Sequence, residues 1–306
     1  MRVSDLAPEE LRSRLRREGV PIRMGPYVTR VRSTLPDLAP AVGHGYAFSE
    51  IGDTGFADFD VSIVRPRGLR RWVRPQALFL LDGLLLFEPY PARLTMPLLE
   101  WGLNWCLAGS LHDHLIVHAA VLERNGRAIL MPAKPGTGKS TLCTALVHRG
   151  WRLLSDEMAL LRPSDGLLDP IPRPVALKEG SIEVIRRFAP EAAIGALWPD
   201  TIKGTVAYVR PPEESMRRAR EPAVPGWIVF PTWTRGAKAR FAPHGKADAF
   251  LRVADNCFNY GMLGVRGFET LGALVERCQC LEFDYGDLAE AVPEFERLAG
   301  GLAAKA

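Results

Sequence analysis

The stretch VHAAVLERNGRAILMPAKPGTGKSTLCTALVHRGWRLLSDE, residues 117–157, decides how the rest of the chain is interpreted. Residues 117–122 and 128–131 are strand-like runs joined by Asn125-Gly126, a dipeptide typical of a two-residue hairpin. A glycine-rich loop follows, then a helical pattern, and then a second short strand that ends in two acids. This order of strand, glycine-rich loop, helix, strand and acid predicts an α/β nucleotide-binding fold.

The loop AKPGTGKST nearly matches the pattern G-x-x-x-x-G-K-[ST], which cradles nucleotide phosphates. Its glycines let backbone N–H groups turn around a phosphate, because a Cβ would obstruct a positive φ. The lysine provides charge for the β- and γ-phosphates, and the serine provides a hydroxyl for Mg²⁺. The alternative is an ordinary glycine-rich turn before a helix. We predict nucleotide contacts from Ala133 (where the pattern has its first glycine), Lys134, Pro135, Gly136, Thr137, Gly138, Lys139, Ser140 and Thr141.

Two adjacent acids end the strand that follows the loop helix. Asp156 is predicted to lie at the carboxyl end of this strand, where ligands bind in open α/β sheets. A carboxylate there can bind Mg²⁺ or accept the proton of an attacking hydroxyl, and Glu157 could share these tasks. Either acid could instead be a solvated turn residue. The predicted metal ligands are Ser140, Asp156 and Glu157.

Several histidines and cysteines have weaker patterns. His118 lies on the strand that pairs with the one entering the loop, and it either orients a phosphate or carboxylate or is structural. His112 and His114 are predicted to lie at the surface. Cys278 and Cys280 are predicted to be alternate residues of a strand, and a metal or redox role is the less favoured alternative.

Composition excludes some classes of protein. The 306 residues contain 47% hydrophobic and 24% charged residues, which is ordinary for a globular chain and not for a disordered one. The formal net charge of +4 does not by itself indicate nucleic acid or a membrane surface as a partner. The absence of a long apolar run or a signal-like start predicts a cytoplasmic protein.

Together these residues resemble HPr kinase/phosphorylase, in which a histidine-bearing strand, a hairpin, a phosphate loop, a helix and an acid pair occur in this order. The similarity is specific over 116–162 and looser to about residue 290. More narrowly, the chain resembles the HprK-related kinase A family, whose members are found beside a PqqD-like peptide-binding protein. Further stretches that support the resemblance are PRPVALKEGS (172–181), TIKGTVAYVRPP (201–212), IVFPTW (228–233) and NCFNYGMLGVRGF (256–268).

The resemblance implies an α/β fold with a PEPCK/HprK-like phosphate-loop kinase core at 93–306 and a smaller strand-rich α+β N-terminal domain at 1–92. It implies ATP and Mg²⁺ as cofactors, Asp156 as the general base, Glu157 as a metal or supporting residue, and a functional His118. The second acid is Glu where the family has Asp, and the histidine is followed by Ala where the family has Gly. The phosphorylase signature is not recognisable, so neither HPr as substrate nor the reverse reaction is carried over.

Basic residues downstream complete the expected kinase site, because a transferring phosphoryl group needs cations beyond Mg²⁺ and the loop lysine. Lys178 and Lys203 are the favoured candidates, each with surface charge as the alternative. Arg173 and Arg210 are weaker ones. Asn256 and Asn259 either bind a substrate or cap a helix.

The predicted activity is phosphorylation of a hydroxyl, with serine on a peptide or protein as the favoured acceptor. A PqqD-like protein is the expected partner, and the oligomeric state is open. One alternative is a kinase that acts on a small-molecule hydroxyl. The other is a nucleotide-gated binding module of a peptide-modification system that transfers nothing.

Overall fold

The computed structural model describes residues 1–53, 55–134 and 136–303. Over these residues the chain is mixed α/β, with two six-stranded and two three-stranded sheets. It divides into two compact units. The first contains Met1–Gly109, Arg173–Ile182 and Ala193–Arg217, and the second contains Ser110–Pro172, Glu183–Ala192 and Arg218–Ala306. The predicted domain boundary at residue 92 falls inside the first segment of the first unit, and a functional boundary there stays a prediction.

Before residue 111 the chain forms three helices and six strands among the described residues. These are α1 (Pro8–Arg16), β1 (Val20–Met24), β2 (Tyr27–Ser33), α2 (Leu38–Gly45), β3 (Phe59–Val64), β4 (Gln76–Leu81), β5 (Leu84–Leu85), β6 (Tyr90–Pro91) and α3 (Thr95–Ser110), with 3-10 turns at Val3–Asp5 and Leu69–Arg71.

After residue 110 the chain contains both helices and strands. The elements are β7 (Leu115–Val117), β8 (Ala119–Arg124), β9 (Arg127–Pro132), α4 (Lys139–Val147), β10 (Arg152–Ser155), β11 (Ala159–Leu161), β12 (Leu168–Asp169), β13 (Val175–Lys178), α5 (Gly180–Phe188), β14 (Trp198–Thr201), β15 (Gly204–Val209), α6 (Glu213–Arg217), β16 (Val224–Trp233), β17 (Arg240–Pro243), α7 (Lys246–Ala254), α8 (Tyr260–Leu263), α9 (Val265–Arg277), β18 (Gln279–Tyr285) and α10 (Leu288–Ala303).

The first unit contains one six-stranded sheet, in which β1 to β5 pair in chain order and β6 pairs with β4. A second sheet of this unit has the order β13-β15-β14. The loop between β4 and β5 is a two-residue hairpin, and Asp82 and Gly83 both have positive φ there (50° and 80°). Positive φ at both central residues matches the twist of the flanking strands, which explains why Asp-Gly stands at this hairpin.

The second unit contains the six-stranded sheet β10-β8-β9-β16-β18-β17. Strands β9, β16 and β18 run parallel, whereas β8 is antiparallel to both β9 and β10. Strands β9, β10, β16 and β18 therefore all point the same way, and their carboxyl ends share one edge. Asn125 and Gly126 join β8 to β9 with φ of 53° and 77°, so the hairpin predicted from Asn-Gly is confirmed.

Helices cover both faces of this sheet. Cys280 of β18 belongs to the apolar cluster that also contains Val253 of α7 and Leu271 of α9. Phe283 of the same strand contacts Phe295 of α10, with ring centroids 4.8 Å apart. Positions 280 and 283 of a strand point to opposite faces. Therefore α10 covers the face opposite α7 and α9, and the buried sheet explains the apolar runs in its strands.

Some sequence-based expectations are wrong in detail. His114 is not at the surface: it is 6% exposed, and its Nε2 lies 2.8 Å from Asp169. Cys278 is not a strand residue: it ends α9, and only Cys280 lies in β18. Both are buried thiols, and no group of three His, Cys, Asp or Glu in the described residues could hold a metal. Among those residues, no helix is both long and apolar enough to cross a membrane.

Candidate functional site

The glycine-rich loop connects β9 to α4 at the edge where the parallel strands end. Gly136 and Gly138 have φ of 93° and 85°, so both use backbone conformations that L side chains rarely adopt. Gly138 is also the residue before the first turn of α4. A Cβ at Gly138 would overlap the hydroxyl of Tyr285, which donates a hydrogen bond to the Gly138 carbonyl at 3.1 Å. Pro135, one of the predicted nucleotide contacts, lies outside the described residues.

Lys139 and Asp156 are brought together by this arrangement although they are 17 positions apart. The Lys139 ammonium donates to the backbone carbonyl of Asp156, and its Nζ lies 3.9 Å from the carboxylate Oδ1. Lys139 is 7% and Asp156 5% exposed. The loop lysine and the acid at the end of β10 therefore form one buried cluster, as the sequence order predicts.

The carboxylate of Asp156 is buried without adequate compensation. Neither of its oxygens has a hydrogen-bond partner among the described residues. Burial raises the pKa of Asp156 to about 6; Lys139 lowers it, Glu157 raises it further, and Ser140 and His118 lower it. The Ser140 hydroxyl is therefore close enough to lower the pKa of Asp156, although neither carboxylate oxygen has a hydrogen-bond partner among the described residues. Such a group is costly in a protein interior, which points to a ligand for this carboxylate.

Magnesium fits this carboxylate by chemistry. Mg²⁺ prefers oxygen ligands, keeps several waters, and is bound in proteins through one or two carboxylates together with substrate phosphates. Asp156 offers two buried oxygens that have no hydrogen-bond partner, and Ser140 offers a half-buried hydroxyl next to it. Ser140 and the acid pair Asp156-Glu157 are therefore the candidates to hold the ion, and a phosphate ligand would supply the rest of its coordination.

Glu157 and His118 form a second, more exposed pair. The His118 Nε2 lies 3.1 Å from the Glu157 Oε2, and their side chains are 26% and 30% exposed. The His118 backbone donates to the carbonyl of Asn256 at 2.7 Å, and its ring contacts Phe258 with centroids 5.8 Å apart. The prediction that His118 lies on the strand paired with β9 is wrong, because His118 forms the bend between β7 and β8, which belong to different sheets. Its ring is nevertheless next to Glu157 of the acid pair.

A cavity of about 280 Å³ lies beside the loop in the same compact unit. The sequence did not single out most of its lining. One cavity cation, Arg252, is already neutralised by Glu282 and lies over the ring of Phe230 at 3.9 Å. The described lining residues are Pro132, Ala133, Lys134, Thr137, Phe230, Pro231, Thr232, Arg252, Asp255 and Asn256.

Trp233 and Tyr285 were also missed by sequence reasoning, and both hold the loop in place. The Trp233 backbone donates to the carbonyl of Thr137 at 3.2 Å, and Tyr285 bonds to Gly138. Both residues are the last of parallel strands, β16 and β18. Their position at strand ends was the available signal, but it becomes informative only when these strands are known to be parallel to β9.

The four basic candidates belong to the first compact unit and Lys139 to the second, and a catalytic role for Lys178 and Lys203 stays a prediction. Arg173 is buried and pairs with Glu100 at 3.3 Å, which indicates a structural role in place of the proposed catalytic one. Arg210 lies 4.7 Å from the centroid of the Phe48 ring. Lys178 ends β13, half-buried. Lys203, in the exposed turn before β15, lies 5.7 Å from the centroid of Trp101.

Asn259 occupies the N-cap position of α8, but its side chain has a structural role elsewhere. Its side chain is buried, accepts from the Ile116 backbone at 2.9 Å and donates to the carbonyls of Leu111 and His114. It makes no capping hydrogen bond to α8. Asn256, by contrast, is half-buried and lines the cavity. Its side-chain amide donates to the backbone carbonyl of Arg252.

Comparisons with known proteins find a distant structural similarity and no match in sequence. No family model matches the chain, and no curated protein matches it. Among solved structures, the Hpr(Ser) kinase/phosphatase from Coxiella burnetii matches with a TM-score of 0.27 and 16% sequence identity, over 60% of this chain and 96% of that one. A TM-score this low assigns neither fold nor activity, so the function has to be argued from the residues of this chain.

Proposed function

We propose that this protein is an ATP- and Mg²⁺-dependent kinase that phosphorylates a hydroxyl, with a serine of a peptide or protein as the favoured acceptor. One observation carries the proposal. A lysine that follows a glycine-rich, positive-φ loop lies beside a buried carboxylate that has no hydrogen-bond partner among the described residues. A nucleotide phosphate with its metal ion would supply what both charges lack.

The loop and α4 would hold the phosphates. The positive φ of Gly136 and Gly138 would let backbone N–H groups turn toward a phosphate, and the positive dipole end of α4 would favour an anion at its amino end. Lys139 would pair with the β- and γ-phosphates, giving up its contact to the Asp156 carbonyl. Bound Mg²⁺ would neutralise charge that develops on the phosphate oxygens.

Asp156 would act on the acceptor. As the acceptor oxygen bonds to the γ-phosphorus, the bond from that phosphorus to the bridging oxygen of ADP breaks, and the hydroxyl proton passes to the Asp156 carboxylate. A pKa near 6 suits this task, since the group is ionised at neutral pH and still basic enough to take a proton. Glu157, hydrogen-bonded to His118, would support the metal or the acceptor.

Transfer of labelled phosphate to different acceptors would identify the class of acceptor. The protein is incubated with γ-labelled ATP and Mg²⁺, in separate reactions with serine-containing peptides and with hydroxyl-bearing metabolites. We expect label on the peptide, in a reaction abolished by Lys139→Ala and retained by Lys238→Ala. The control variant removes one positive charge from an exposed turn. Label on a metabolite alone would identify a small-molecule kinase. Saturable ATP binding with no transfer to any acceptor would favour the nucleotide-gated binding module and would overturn the kinase proposal.

A PqqD-like protein stays the proposed partner, as the family resemblance suggests. Adding such a protein to the labelled reaction should lower the KM for the peptide while leaving the ATP dependence unchanged. An unchanged KM would remove the partner from the proposal without affecting the kinase activity.

A further inference from the structure

The first compact unit contains a larger cavity, of about 650 Å³, formed entirely within residues 35–93. It lies where the end of β3, the 3-10 turn Leu69–Arg71, the start of β4 and the region of β6 come together with the segment before α2. This volume is within the range of small-molecule sites. The lining residues are Leu35, Pro36, Asp37, Arg65, Arg70, Arg74, Pro75, Gln76, Pro91, Ala92 and Arg93.

The charges of this cavity are unbalanced. Its lining includes four guanidinium groups and a single carboxylate, Asp37. The neighbouring strand β2 is different, because there Arg30 and Arg32 both pair with Asp60. Among the described residues, Arg65, Arg70 and Arg74 have no ion-pair partner, while Arg93 makes one exposed contact to Asp200 at 3.2 Å. The described lining of the cavity therefore carries a surplus of positive charge, whereas the arginines of β2 are neutralised.

Two further observations indicate that an anion belongs here. The Nε of Arg65 is buried and has no acceptor among the described residues, and a buried donor without an acceptor calls for a missing partner. Arg74 has a φ of 48°, a conformation that costs energy for a residue with a side chain and that is often associated with ligand sites. Pro75 follows Arg74 directly and restricts the backbone at this position.

We propose that this cavity binds a compact, multiply charged anion through the guanidinium groups of Arg65, Arg70 and Arg74. Guanidinium forks bind phosphate and carboxylate groups in the same two-pronged way, so the shared chemistry is that of a polyphosphate or polycarboxylate. The volume of about 650 Å³ and the three prolines of the lining, Pro36, Pro75 and Pro91, favour a small ligand over an extended chain. This site is separate from the kinase proposal and does not depend on it.

The test uses the full chain carrying Lys139→Ala, so that the phosphate loop does not contribute to anion binding. Calorimetric titration with inorganic tripolyphosphate and with citrate, at fixed ionic strength, should show saturable binding of at least one of them. Adding Arg70→Gln and Arg74→Gln should weaken this binding by about tenfold or more, because two charge-assisted contacts are lost. The anion that binds more tightly identifies phosphate or carboxylate as the natural ligand group.

The matched control is Arg12→Gln with Arg16→Gln, which removes the same charge from the exposed face of α1. Equal weakening by both pairs would mean general attraction to a basic protein and would overturn the proposal, as would the absence of saturable binding. An acidic peptide or an oligonucleotide that binds in an arginine-dependent way, when neither small anion does, would also overturn it. Because Arg70 and Arg74 are exposed, we expect the variants to fold, and Arg70→Gln alone provides a second, milder substitution.

Discussion

The loop edge of the second unit's six-stranded sheet and the arginine-lined cavity both offer cations to an anion, but the cations lie in opposite environments. At the loop, one lysine and one carboxylate lie almost completely buried, 3.9 Å apart. In the cavity, Arg70 and Arg74 are exposed and the cations outnumber the single carboxylate. Charges interact strongly where water is excluded and are screened where it is not.

This difference teaches how each region can recognise an anion. A buried cation has to be matched, since an isolated ion in the interior costs several kcal/mol, about the size of a whole domain's margin of stability. Few charges can therefore be used there, and each one is coupled to its neighbours. An exposed cavity tolerates a surplus of cations at little cost in stability. It can therefore bind an anion tightly by providing several cations at once. We expect substitutions at the loop to have large effects and those at the cavity to be nearly silent until its anion is present.

The largest effect is expected for Lys139→Ala. Without the ammonium the phosphates lose their main cation, and Asp156 is left buried without its nearest positive charge. Turnover should fall below detection, and ATP affinity should fall by at least about tenfold. Turnover assays together with calorimetric titration measure both quantities. Unchanged affinity and unchanged turnover would show that the loop does not bind the nucleotide.

Asp156→Asn should separate chemistry from binding. The amide keeps the shape of the carboxyl but cannot take a proton, so kcat should fall by about 10²–10⁴-fold, roughly 3–5 kcal/mol. Mg-ATP affinity should fall only severalfold.

The pH profile provides a further check on the same variant. Wild-type kcat/KM should rise with pH through about 6, where Asp156 ionises, and this rise should be missing in Asp156→Asn. If the variant instead loses Mg-ATP binding while Mg-free ATP still binds, Asp156 is chiefly a metal ligand, and the base has to be sought at Glu157 or His118.

The stability of the protein without Mg²⁺ or nucleotide should carry the cost of the buried carboxylate. The pKa of Asp156 is raised in the folded state, so the folded form holds its proton up to about pH 6, whereas the unfolded chain releases it near pH 4. Folding is therefore penalised above pH 6, by roughly 3 kcal/mol, and not below pH 4. Urea unfolding should show Asp156→Asn as more stable than wild type at pH 8 and equal to it at pH 4. A stability difference independent of pH would contradict this.

A smaller effect is expected for the partly exposed pair formed by Glu157 and His118. A double-mutant cycle with Glu157→Gln and His118→Ala should give a coupling free energy of about 1 kcal/mol or less, because both side chains are partly solvated. Glu157→Gln should lower kcat less than Asp156→Asn does. A rate loss in Glu157→Gln as large as that in Asp156→Asn would exchange the roles of the two acids.

The smallest effect on stability is expected at the cavity. Arg70→Gln with Arg74→Gln removes two exposed cations that have no ion-pair partner among the described residues, so the free energy of unfolding should change by no more than about 0.5 kcal/mol. Chemical unfolding in low salt, without polyanions, measures this. A large loss of stability would mean that these arginines support the fold, which would erase the contrast with the loop.

Local sequence determined the elements around the loop. Asn125-Gly126 specifies its hairpin because both residues adopt positive φ readily, and the glycines before Lys139 specify the loop for the same reason. The apolar runs on either side predict a strand and a helix in the correct order, and the loop-to-acid spacing brings Asp156 to the strand end. These features depend on neighbours along the chain, so the sequence shows them directly.

Tertiary structure alone decided the environment of each candidate. The pKa of Asp156 depends on its burial, and Gly138 is confined by Tyr285, which is 147 positions away along the chain. His114 and Arg173 became structural because distant acids, Asp169 and Glu100, pair with them in the interior. Desolvation and ion pairing arise from contacts between remote segments, and these contacts cannot be read from the type of a residue alone. The sequence therefore identified which residues have suitable chemistry, while packing determined which of them are buried, paired or left to bind a ligand.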